Sequence, residues 1–131
     1  MFTHSQLMKF CTEIFLSLNM DNEKALDTSE ILIEADMMKH STHGVRLLPL
    51  YIKDIELGNM KVNGQEKVLK DTGSCLTWDG KLLPGTWLTK KALKTAAERA
   101  QKFGVATVSI SNSHHNGCLL YTSPSPRDEV L

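Results

Sequence analysis

Apolar residues recur at three- and four-residue steps from the start of the chain. Leu7, Phe10, Cys11, Ile14, Phe15 and Leu18 share one face of an amphipathic helix, which Thr3 or Ser5 can cap. Asp21 is placed to cap a second helix with Ala25, Thr28, Ile31, Leu32, Ala35 and Met38 on its inner face, and Met20 can pack back on it. A third, shorter helix is predicted from near Arg46, with Leu48, Tyr51, Ile52 and Ile55 inward. Pro49 is tolerated in its first turn, and Gly58 suits its end.

The pattern changes after Gly58. Asn63-Gly64 is a turn dipeptide, and Lys67 to Asp71 and Ser74 to Trp78 read as short strands around a turn at Asp71-Thr72-Gly73. A loop from Lys81 to Trp87 leads to the strongest helix of the chain, roughly Leu88 to Lys102. Its expected inner face is Ala92, Leu93, Ala96, Ala97 and Ala100, and Gly104 ends it. Val105 to Ile110 is β-branched and apolar, and reads as a buried strand. The fold class is therefore α/β: a helical lobe over residues 1–64, then the opening of an α/β domain over 65–117. A strand, helix, strand unit cannot cover its own faces, so this second part reads as incomplete.

The segment 118–131 is set apart. Its run Cys118-Leu119-Leu120-Tyr121-Thr122-Ser123-Pro124-Ser125-Pro126-Arg127-Asp128 resembles a translated sequencing adapter. Native sequence is expected to end near Gly117, leaving an N-terminal fragment whose tail has no part in the fold.

Composition narrows the function. Fifteen basic residues balance fifteen acidic ones, which argues against a nucleic-acid or membrane-surface partner. Hydrophobic content of 41% and charged content of 23% suit a globular protein, and no apolar run reaches transmembrane length. Lys9 and Glu13 interrupt the first apolar stretch, which does not read as a signal peptide. Cys11 and Cys75 have neither metal nor disulfide spacing, so a reducing cytoplasm is expected.

The candidate chemistry lies in two histidine segments, His40-Ser41-Thr42-His43-Gly44-Val45-Arg46 and Ser111-Asn112-Ser113-His114-His115-Asn116-Gly117. Each sets imidazole beside small polar residues and glycine, at the end of a helix or strand where functional loops gather. Three readings stay open on the residues alone. One is an enzyme site built on His43 and His115. Another is a metal-dependent hydrolase or metal-binding module using His40, His43 and a nitrogen of His114 or His115. The third is a helical interaction domain with incidental histidines. Neither a P-loop nor a dinucleotide glycine fingerprint is present, and no serine nucleophile elbow.

The stretch from Ala35-Asp36 to Tyr51, with Thr42-His43-Gly44-Val45 and Leu48-Pro49-x-Tyr51 inside it, resembles the second malate/lactate dehydrogenase family. That family also holds ureidoglycolate and sulfolactate dehydrogenases and ketimine reductases. Ala92 to Gly117 resembles it too, through Gly104-Val105 and Asn112-Ser113-His114-His115-Asn116-Gly117. The resemblance implies a cytoplasmic, usually dimeric enzyme with a non-Rossmann α/β fold. Such an enzyme passes hydride between NAD or NADP and a small 2-hydroxy acid or its 2-oxo or imino counterpart. It further implies His115 as acid/base and His43 as the motif histidine that orients substrate. Thr42 stands where serine is usual, and a nearby arginine takes the substrate carboxylate. Two departures bear on substrate: Arg46 follows His43 by three residues where four is usual, with Leu47 in the expected place, and Asn116 replaces a frequent phenylalanine. Most cofactor-binding residues are expected downstream, so the chain alone is expected to be inactive.

Overall fold

The computed structural model describes residues 1–117. The expectation for the tail lies outside the described residues. The order is α1 (His4–Ser17), α2 (Asn22–Met37), two short 3-10 turns (Ser41–His43 and Val45–Leu47), α3 (Leu48–Glu56), β1 (Lys67–Asp71), β2 (Cys75–Asp79), α4 (Gly85–Phe103) and β3 (Thr107–Ser111). The chain is thus mixed α/β. Among the described residues no helix is long and apolar enough to cross a membrane.

Thr3 caps α1, and it does so reciprocally: its hydroxyl accepts from the Gln6 amide while the Gln6 side chain accepts from the Thr3 amide. Ser5 lies inside the helix. Asp21 precedes α2 as expected, but its carboxylate makes no capping bond. It turns instead to the Lys24 ammonium, 2.7 Å away, because that lysine is 1% exposed and needs a counter-charge. Cys11, Phe15, Met20, Ala25, Leu32, Ile33, Leu48, Tyr51 and Met60 form the helical core. Met38 does not join the face expected of it. It lies just past the end of α2 and is 48% exposed.

The sheet order is β1-β2-β3. β1 and β2 are antiparallel around Gly73, which has φ +90 and so takes a conformation that side chains disfavour. β2 and β3 are parallel, with Leu76 opposite Val108 and Trp78 opposite Ile110, and α4 makes the crossover. α4 starts at Gly85, three residues before the helix expected from Leu88. Pro84 sets up the first turn, and Gly85, Thr86, Trp87 and Leu88 are all buried. Tertiary packing therefore extends the helix through weak helix formers. The inner face also differs from expectation: Ala92 is buried, whereas Leu93 and Ala97 face solvent. β3 was expected to be buried throughout. It alternates, with Val108 and Ile110 partly covered and Thr107, Ser109 and Ser111 exposed, because it is an edge strand packed on one face.

Helical and sheet parts meet along α2 and α4. Thr28 and Thr86 share a buried 3.0 Å hydrogen bond. The Trp87 ring takes the Lys24 ammonium at 4.0 Å and that of Lys91 at 4.9 Å. Lys90 bridges back to Asp27 and Glu30.

After β3 the chain stays beside residues 80–83. Ser111 and Asn112 carbonyls accept from the Gly80 and Leu82 amides at 2.7 and 2.6 Å, and the His114 amide donates to the Leu83 carbonyl at 3.0 Å. The segment then crosses the start of α4 at Gly85. A Cβ there would overlap the Asn116 side-chain amide and the His114 carbonyl, and would press on the His115 carbonyl. Helix propensity alone favours alanine over glycine by about 1 kcal/mol. Gly85→Ala is nonetheless expected to destabilise the protein by about 1–3 kcal/mol, the usual cost of overpacking. It should also displace the amide resonances of residues 113–116. Urea unfolding checks the sign: a more stable variant would contradict the crossing.

Candidate functional site

The first histidine segment is held by Asp36, near the end of α2. Its carboxylate accepts the Val45 amide at 2.8 Å and occupies the space a side chain on Gly44 would need. Gly44 is buried for that reason, and the two 3-10 turns fold tightly around it. His43 lies at the end of the first turn, and its Nδ1 pairs with the Thr42 hydroxyl at 3.0 Å.

The second segment brings His114 and His115 against α3. Tyr51 and Asp54 lie three residues apart on that helix, a spacing that puts two side chains on one face. Asp54 takes His114: Nε2 donates to Oδ2 at 2.9 Å. Tyr51 takes His115: its hydroxyl meets Nδ1 at 2.8 Å. The Tyr51 ring also meets both imidazoles edge-on, with centroids 5.5 Å from His114 and 6.0 Å from His115.

These supports place His43 and His115 together. Their rings stack at 20° with centroids 6.1 Å apart.

The electrostatics follow from the packing. Partial burial, then His114 and His43, hold His115 below the ordinary 6.5, so its neutral form prevails at pH 7. The Gly117 amide also donates to Nδ1 of His115, at 3.3 Å. An amide can only donate, so Nδ1 is the acceptor and the ring proton rests on Nε2. Burial, with help from the Asp54 charge, pushes the Tyr51 hydroxyl up to about 12, and it stays protonated throughout the physiological range. The hydrogen bond from His114 is the main cause of a lowered Asp54.

The other candidates differ in what holds them. Arg46 is exposed, and among the described residues it has no hydrogen bond, ion pair or ring contact. Leu47 packs on the helical core. The His40 amide and carbonyl serve the turn, bonded to the Ala35 carbonyl and the His43 amide. Asn116, with its amide nitrogen turned inward, donates to the His114 and Gly85 carbonyls at 3.3 Å each, so it braces the segment. Among the described residues no three His, Cys, Asp or Glu side chains are grouped to hold a metal ion. Two members of the site escaped the sequence reading. Tyr51 was read as a core residue and as part of the resembling stretch, without a role at the site, and Asp54 was not singled out. Their three-residue spacing on a short helix was the available signal.

Comparison with known proteins bears on the family and the fold. The family model for malate/L-lactate dehydrogenase matches residues 2–125. Hydroxycarboxylate dehydrogenase B of Escherichia coli K12 is 28% identical over 120 residues, covering 92% of this chain and 33% of the relative. Malate/(S)-sulfolactate dehydrogenase of Methanothermus fervidus is 32% identical over 111 residues, covering 85% and 33%. Among solved structures, sulfolactate dehydrogenase of Methanocaldococcus jannaschii superposes with a TM-score of 0.83 at 28% identity, covering 88% of this chain and 34% of that one. The chain thus spans about a third of the length of these relatives. With its helical start, its short mixed sheet and its paired histidine loops, the chain belongs to the malate/L-lactate dehydrogenase family.

Proposed function

We propose that the chain is the N-terminal part of an oxidoreductase that moves hydride between NAD or NADP and a 2-hydroxy acid or its 2-oxo or imino counterpart. In it, His115 and His43 handle the substrate oxygen and its proton. The observation that carries this reading is the stacked His43–His115 pair, 6.1 Å apart and braced from behind by Tyr51. Family membership supports the oxidoreductase class, and relatives named for malate, sulfolactate and hydroxycarboxylates support a small hydroxy acid. Free Cys11 and Cys75 accord with a cytoplasmic enzyme, and the whole protein is a homodimer in this reading.

The described residues do not fit the dinucleotide. The helix start at Gly85 is crossed by the His114 and His115 carbonyls, and among the described residues no glycine-rich phosphate turn lies beside it. When bound, nicotinamide supplies or removes hydride at the substrate carbon. The chain's own residues attend to the oxygen on that carbon.

His115 rests with Nε2 protonated, the form that donates a hydrogen bond to a 2-oxo group and polarises it. Reduction also needs a proton delivered to that oxygen, and the imidazolium form of His115 delivers it from Nε2. Oxidation runs in reverse from the other neutral tautomer, in which the ring proton sits on Nδ1 and is accepted by the Tyr51 hydroxyl, so that a free Nε2 takes the hydroxyl proton. The Tyr51 hydroxyl serves both forms because it can donate to Nδ1 or accept from it. Thr42 occupies Nδ1 of His43, which leaves Nε2 of that ring to the ligand. Arg46, exposed and unpaired among the described residues, is assigned to the substrate carboxylate.

In the complete enzyme, His115→Ala is expected to cut turnover by about 100-fold or more, the scale for losing a general acid/base. Nicotinamide absorbance with a panel of 2-oxo acids reads it, and full activity would remove His115 from this role. Arg46→Leu should raise KM about 10- to 100-fold with kcat largely kept, the range of one charge-assisted hydrogen bond. An unchanged KM would place the carboxylate elsewhere. Because His115 titrates below 6.5, kcat/KM for reduction should be highest below that titration and fall as pH rises through it; oxidation should do the opposite. A limb centred at or above 6.5 in both directions would contradict the assigned environment.

A further inference from the structure

We infer that Asp54 and His114 are a positioning pair, a latch that fixes His115 in register with His43. The inference rests on the proposed role of His115 and extends it to two side chains that touch no substrate.

His114 is bound at two points. Its amide donates to the Leu83 carbonyl at 3.0 Å, and its ring donates from Nε2 to Asp54 at 2.9 Å. The side chains are only 12% and 22% exposed, so water competes poorly for this contact. Nδ1 of His114 is buried with no partner among the described residues. The ring therefore has a single polar anchor, which is Asp54. Asp54 is fixed in turn, since its backbone carbonyl accepts the Asn59 and Met60 amides at the end of α3.

His115, by contrast, is exposed on one side and held through Nδ1 by the Tyr51 hydroxyl and the Gly117 amide. One peptide bond joins it to His114. If the His114 ring leaves Asp54, residues 114–115 lose one of their two side-chain ties to α3, and the Tyr51 hydroxyl is the one that remains among the described residues. A histidine facing solvent would give no such control. The pair turns a loop residue into one fixed by a helix, where catalytic geometry is most precisely kept.

The test uses the 131-residue chain with 15N-labelled histidine, because ring-nitrogen shifts report tautomer and titration without any need for activity. In the native chain, a slowly exchanging Nε2–H of His114 is expected, and a His115 ring protonated on Nε2 that titrates below 6.5. Asp54→Asn should release His115, raising its titration toward 6.5 and populating both tautomers. The charged and titratable groups around His115 are His43, His114, Tyr51 and Asp54. Loss of a charge alone would leave Nδ1 of His115 as the acceptor of the Gly117 and Tyr51 bonds, so the appearance of both tautomers separates positioning from simple electrostatics. His114→Gln, whose amide can still donate to Asp54, should keep the His115 ring proton on Nε2, whereas His114→Leu should populate both tautomers.

A folded Asp54→Asn chain with His115 unchanged, or shifted down, would overturn the latch. So would rapid exchange of the His114 ring proton in the native chain, a result that stands even if every variant fails to fold. Either failure leaves the acid/base reading to be decided separately, by turnover of His115→Ala in the complete enzyme.

Discussion

One turn of α3 holds the site together. Tyr51 and Asp54 reach across to His115 and His114, sixty or more positions further along the chain. Without that turn, the loop after α2 and the loop after β3 would be two unrelated surface segments. With it, His43 and His115 become neighbours. Most of the surrounding architecture serves this meeting. Asp36 tightens the first loop around Gly44, the Leu83 carbonyl ties down the second, and Gly85 gives it room to cross α4.

The chemistry of the pair follows from what its neighbours can and cannot do with protons. The Tyr51 hydroxyl, pushed up to about 12, does not ionise near neutrality and so remains a neutral partner for Nδ1. The Gly117 amide cannot accept a hydrogen bond, which leaves the resting proton on Nε2. Partial burial and two further imidazoles keep His115 neutral at pH 7. A neutral ring with an outward N–H is suited to meet a carbonyl oxygen and unsuited to meet a cation or a metal ion.

Much of the fold was legible because periodicity marks faces. The core positions of α3 were read correctly, as were the inner residues of α2 as far as Ala35 and those of α1 except Phe10, which is 53% exposed, because each helix packs one apolar stripe on its neighbours. The departures have local causes. Asp21 left its cap for a buried lysine, α4 began early because packing held weak helix formers, and β3 is an edge strand with one covered face. At the site, His43 and His115 stood out by residue type and by resemblance. Tyr51 and Asp54 did not, because their partners lie far along the chain and only the fold brings them close. Periodicity correctly marked Tyr51 as buried, yet it carries no information about a hydroxyl's partner.

The central claim is that His43 and His115 address one substrate, with Nε2 of His115 at its reacting oxygen. The most direct measurement is a crystal structure of the complete enzyme with an unreactive 2-oxo acid analogue. The account predicts the analogue between the two imidazoles, its carbonyl oxygen about 3 Å from Nε2 of His115, with Tyr51 still on Nδ1. An analogue bound away from both rings, or a His115 turned from it toward solvent, would contradict the account.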